Sequence, residues 1–100
     1  MKWTVTITSR AAKQVRQLPA NIQAGFAALA DDLATGGPVA RDWPRYGTIK
    51  GKTDCYHCHL NKGKPRYVAV WEQVDSDSRT IEVRYVGTHE KTRYGHICRD

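Results

Sequence analysis

Two histidines pose the chemical question. His57 and His59 stand two residues apart in Asp54-Cys55-Tyr56-His57-Cys58-His59-Leu60, a stretch written as a strand. Alternation sends Tyr56, Cys58 and Leu60 to one face and Cys55, His57 and His59 to the other, so one side is apolar and the other reactive. Imidazoles at this spacing point the same way, about 7 Å apart. They can serve two ends of one phosphodiester, because histidine titrates close enough to neutrality to take or give a proton. The bland alternative is a pair of solvated histidines on the outer face of an antiparallel strand, and the surroundings decide between the two.

The same stretch offers zinc-ligand types in Cys55, His57, Cys58 and His59. Alternation turns Cys58 away from the other three, and no second ligand cluster follows, so no metal is expected.

The charge around the pair favours an anionic partner. The chain carries 16 Lys and Arg against 10 Asp and Glu, a net charge of +6. Between Arg41 and Arg66 seven basic residues face only Asp42 and Asp54, so the excess concentrates where the histidines are. Trp43, Tyr46, Tyr56 and Tyr67 interleave with these charges, and unpaired bases stack on such rings, which points to RNA. Three cysteines, an odd number, do not resemble a secreted disulfide framework, so a reducing cytoplasm is expected. Met1–Thr8 does not read as a signal peptide, and no stretch approaches membrane-spanning length.

The elements that must position the pair follow from periodicity. Lys2–Thr8 alternates as a strand with Trp3, Val5 and Ile7 inward. Ser9 can cap a helix whose apolar positions are Ala11, Ala12, Val15 and Leu18. Pro19 suits the first turn of a second helix with Ile22, Phe26, Leu29 and Leu33 on one stripe, stopped by Gly36-Gly37-Pro38. Gly25 and Asp31-Asp32 run against helix preferences there.

A basic irregular segment, Val39–Thr53, holds a short strand near Thr48–Ile49 and leads into the histidine strand. Asn61–Pro65 is a hairpin connection, Arg66–Val74 a strand, Asp75–Arg79 a turn and Thr80–Val86 the last strand. A polar tail follows Gly87. The predicted architecture is α+β in a single domain, residues 1–100. An N-terminal strand and a helical hairpin pack on one face of a small antiparallel sheet in β-α-α-β-β-β order. The other face stays open and carries His57 and His59.

With this order in place, the chain resembles the RelE/ParE superfamily of toxin–antitoxin toxins, and within it the RelE and HigB messenger-RNA-cleaving branch. The resemblance spans nearly the whole chain. It rests on the element order, on Ile49-Lys50-Gly51 followed by Asp54-Cys55-Tyr56, and on Tyr85-Val86-Gly87-Thr88-His89-Glu90-Lys91 with Tyr94 beyond.

It implies a toxin of a type II toxin–antitoxin system that cuts translated messages on the ribosome by attack of the RNA 2′-hydroxyl. The partners implied are a cognate antitoxin, the ribosome and messenger RNA, with no cofactor and no membrane. The family's phosphate-binding and base positions fall on His57 and His59, where lysines are usual. Its transition-state arginine falls on Arg66, with Lys64 as the alternative. Its general acid falls on His89 and its nucleotide-orienting tyrosine on Tyr94; Lys50, Lys52, Lys64 and Lys91 are expected to bind RNA. Such cleavage needs a base at O2′, a cation at the non-bridging oxygens and an acid at O5′, and it leaves a 2′,3′-cyclic phosphate. The competing reading keeps the fold without the chemistry: a ParE-like gyrase-binding toxin, or an inert module that only binds an antitoxin.

Overall fold

The structure, a computed structural model, describes residues 2–89 and 94–98. Five strands, β1 (Thr4–Ile7), β2 (Gly47–Thr48), β3 (Cys55–His59), β4 (Tyr67–Asp75) and β5 (Thr80–Thr88), form one sheet in the order β1-β5-β4-β3-β2. Helices α1 (Ser9–Arg16) and α2 (Ala20–Gly36) connect β1 to the rest. β2 to β5 pair antiparallel as expected, but β1 runs parallel to β5, with Val5 opposite Ile81. Ile7, at the end of this edge strand, is 41% exposed where alternation placed it inward.

The helical hairpin forms as its stripes dictate. Ile22, Phe26, Leu29 and Leu33 are all buried, and they meet Cys58, Leu60, Ala69, Trp71, Ile81, Val83 and Val86 from the sheet. Thr8 caps α1, its hydroxyl accepting the Ala11 N–H at 3.0 Å, so the cap lies one residue before the expected Ser9. Pro19 is the N-cap of α2 and not part of its first turn.

The residues that ran against helix preference have structural reasons. A Cβ on Gly25 would stand 3.4 Å from the Leu60 carbonyl oxygen, where α2 meets the end of β3. Asp32 accepts the Trp43 indole N–H at 2.8 Å, tying the segment after α2 back to the helix. Gly37 ends α2 at φ 89, and a Cβ there would come to 2.9 Å from Nε1 of Trp3, so both backbone and space require glycine.

Two expectations are corrected on the second face of the sheet. Cys55 and Cys98 are disulfide-bonded, so the odd cysteine count concealed one bridge plus the buried Cys58, and the cysteine-based case for a reducing compartment fails. That face is also not wholly open. Ile97 and Cys98, after a 3-10 turn at Tyr94–His96, close a small cluster of Ile49, Cys55, Val68, Val70 and Tyr85. No helix among the described residues is long and apolar enough to cross a membrane.

Candidate active site

β3 separates its side chains as the pattern required. Cys58 and Leu60 enter the helix-side core, while Cys55 packs in the second cluster with Val68 and Val70. Burial pushes the Cys58 thiol up to about 12, leaving it an unreactive core residue. His57 pairs with Gly47 on one side and Val70 on the other, and His59 pairs with Val68. A Cβ on Gly47 would stand 3.2 Å from Nε2 of His57, so a glycine at this point of β2 makes room for the ring.

His59 anchors the site. It is 9% exposed, and its backbone N–H donates to the Pro44 carbonyl at 2.8 Å, which fastens the incoming loop to the end of β3. Its ring lies 5.4 Å from that of His89, tilted by 51°. His89 follows β5, and its backbone N–H donates to the Arg66 carbonyl at 2.8 Å, so the start of β4 and the end of β5 are locked together beside β3.

Next to His59 opens a cavity of about 310 Å³ lined by Pro44, Arg45, His59, Asn61, Lys62 and Arg66. Of the two alternatives for the strand-entry cation, Arg66 lines it and Lys64 does not.

Electrostatics give the two histidines a defined charge state. Burial holds His57 below the usual histidine value, and nearby His89 adds to this. His59 is lowered by burial first, then by its neighbours His89, Arg45, His57 and Arg66. At neutral pH both are therefore neutral imidazoles, able to accept a proton. Arg84, on the same face, is by contrast neutralised by Glu72 at 2.8 Å and Glu82 at 2.6 Å.

The remaining predicted residues divide. Lys50 and Lys52 occupy the β2–β3 turn, at the Cys55 end of β3, about 13 Å along the strand from His59 at the usual rise. Lys64 is exposed in the β3–β4 connection. Tyr94 opens the 3-10 turn, but its side chain lies outside what is described, and Lys91 lies outside the described residues altogether.

The aromatic reading is corrected. Tyr46 and Tyr56 stack on each other and on Trp71 at 6.3–6.4 Å, and Trp43 and Tyr67 also pack against the helix-side core, across the sheet from the histidines. Sequence reasoning passed over Arg45, Lys62 and Gly47. Their place depends on the path of the loop through Pro44 and on the turn after β3, which no periodicity reports.

No protein-family model matches the chain. Among curated proteins it is 28% identical over 90 residues to the toxin RelE1 of Methanocaldococcus jannaschii, covering 90% of this chain and 93% of that protein. Its structure is similar to that of a free E. coli RelE toxin carrying two arginine-to-alanine changes. That match has a TM-score of 0.71 at 20% identity and covers 92% of this chain and 88% of that one. RelE in the archaeal RelE–RelB complex of Pyrococcus horikoshii gives a TM-score of 0.67 at 21% identity, covering 92% and 100%. The YoeB dimer of Staphylococcus aureus gives 0.69 at 15%, covering 89% and 99%. These likenesses show the fold of the RelE toxins.

Proposed function

The chain is RelE-like in fold and along nearly its whole sequence, and from that premise we propose that it is the toxin of a type II toxin–antitoxin pair, cutting messenger RNA on the ribosome. The observation that carries the ribonuclease reading is the convergence of His59, His89 and Arg66 at one corner of the sheet, with His59 held neutral.

In this reaction His59 accepts the 2′-hydroxyl proton as O2′ attacks phosphorus, and the P–O5′ bond breaks as His89 gives a proton to O5′. Arg66 balances the charge that develops on the non-bridging oxygens, and neutral His57 offers an N–H to the phosphate. The products are a 2′,3′-cyclic phosphate and a 5′-hydroxyl end.

An antitoxin partner fits the net charge of +6, and solved relatives include RelE with RelB. The partner segment is expected to be acidic or amphipathic, and copurification with the product of the adjacent gene tests it.

The deciding test of the chemistry is primer extension on a reporter message after expression without an antitoxin. New ends inside the translated region are expected. Unchanged ends together with gyrase-linked DNA breaks would overturn the reading in favour of gyrase poisoning.

A further inference from the structure

The cavity beside His59 has a composition that proton transfer does not require. Arg45, Lys62 and Arg66 surround it, none of its six lining residues is acidic, and neither Arg45 nor Arg66 joins an ion pair among the described residues. His59 forms one wall of it and His89, the proposed acid, does not, so the cavity extends from His59 on the side away from His89. Its volume of about 310 Å³ falls at the small end of ligand sites, room for one nucleotide-sized group.

The wall is fixed before anything binds. The side chain of Asn61 accepts the Tyr67 N–H at 2.9 Å and donates to the Pro65 carbonyl at 3.0 Å, bracing the β3–β4 connection. On the other side, the Pro44 carbonyl is held by the His59 N–H.

Arg45 itself adopts φ 57, a left-handed conformation that glycine or asparagine takes more readily and that costs an arginine on the order of 1 kcal/mol. Arg79 does the same in the β4–β5 turn, so conformation alone assigns nothing. What distinguishes Arg45 is that it lines a basic cavity with Lys62 and Arg66, close enough for its charge to act on His59.

We propose that this cavity is a second phosphate site for single-stranded RNA. It would hold the backbone phosphate and sugar next to the scissile linkage against Arg45 and Lys62, with His59 and Arg66 as the partition between the two phosphates. This deepens the ribonuclease reading and rests on it for the identity of the ligand. Arg45 then acts in binding and register, while His59 and His89 act in chemistry.

The experiment uses the full chain and a short 2′-O-methyl RNA, which cannot be cleaved, with affinity read by fluorescence anisotropy between about 50 and 200 mM salt. Arg45→Asn and Arg45→Gly suit the left-handed backbone, so both should unfold at or above the wild-type temperature. Each is expected to weaken RNA binding about tenfold or more, the scale of one charge-assisted contact, and to lower the salt slope by about 0.7, the value for one phosphate on a single strand. Arg45→Lys should restore the slope. Binding and slope unchanged in both variants would overturn the proposal, as would a wild-type chain that does not bind this RNA. Loss of affinity for an acidic peptide alone would also overturn it, assigning the cavity to a protein partner.

Ribosomal cleavage separates this result from the nuclease reading. If wild type and Arg45→Asn cut messages equally at limiting concentration, the phosphate site falls and the nuclease stands. If Arg45 controls RNA binding but no message is cut, the site stands and the nuclease falls.

Discussion

The two faces of one sheet are built on opposite terms. On the helical side, Ile22, Phe26, Leu29 and Leu33 bury against Trp71, Val83 and Val86, and even the polar edges are tied, the Trp71 indole donating to the Pro38 carbonyl at 3.0 Å. On the other side a small cluster around Val68, Val70 and Tyr85 is closed by a short C-terminal segment and one disulfide. Beyond it lies a corner where burial and the charges of Arg45 and Arg66 disfavour protonation of His59, with His57 beside it on the strand. The difference teaches where folding free energy comes from. Apolar burial on one face lets the other keep uncompensated charge and two imidazoles, His59 buried and His57 half-buried, which cost stability and, on the proposed function, serve an anionic substrate.

The sharpest way to break the contrast is to empty the helical face. Trp71 is fully buried and stacked by Tyr46 and Tyr56, so Trp71→Ala should cost about 3–5 kcal/mol in urea unfolding, a large part of a small domain's stability. Next in size is the clasp on the other face. Cys98→Ser opens a loop of 43 residues and should cost about 2–4 kcal/mol, and reduction of the wild type should reproduce the loss. A wild type indifferent to reduction would show that Ile97 and the apolar cluster hold the segment unaided.

A smaller effect distinguishes the faces by pH. His57 and His59 titrate lower in the folded chain than in the unfolded one, so between those values the unfolded state binds more protons. Their contribution is fully present above the unfolded value of 6.5 and is lost as pH falls through the folded values. The urea midpoint should therefore drop from about pH 7.5 to about pH 5.5, and His57→Gln should flatten the dependence. Trp71→Ala should shift the whole curve without changing its slope.

The helical face was the more legible in sequence, because its stripes are local: every residue of the Ile22, Phe26, Leu29, Leu33 series is buried as its period required. The division of β3 into an apolar and a reactive side was legible for the same reason. What escaped depends on contacts remote in the chain. The pairing of Cys55 with Cys98, the parallel docking of β1 on β5 and the turning of Tyr46 toward Trp71 are fixed by tertiary packing, not by spacing. Arg45 escaped because its position follows from one backbone hydrogen bond, His59 to Pro44, in a segment with no period to read. Which of Arg66 and Lys64 lines the cavity depends on how the chain winds through Asn61–Pro65, a connection that the Asn61 side chain braces.

In the proposed mechanism neutral His59 takes the first proton of RNA cleavage and His89 gives the second. Single-turnover cleavage on programmed ribosomes from about pH 5.5 to 8.5 tests it most directly, comparing wild type with His59→Ala and His89→Ala. The expected wild-type profile is bell-shaped around neutrality. Each substitution should lower the rate about 10²-fold or more and abolish one limb, His59→Ala the acidic and His89→Ala the alkaline one, with ribosome binding retained. A wild-type rate still rising past neutrality, with a profile unaltered by either substitution, would contradict this mechanism and leave both histidines without a part in the chemistry.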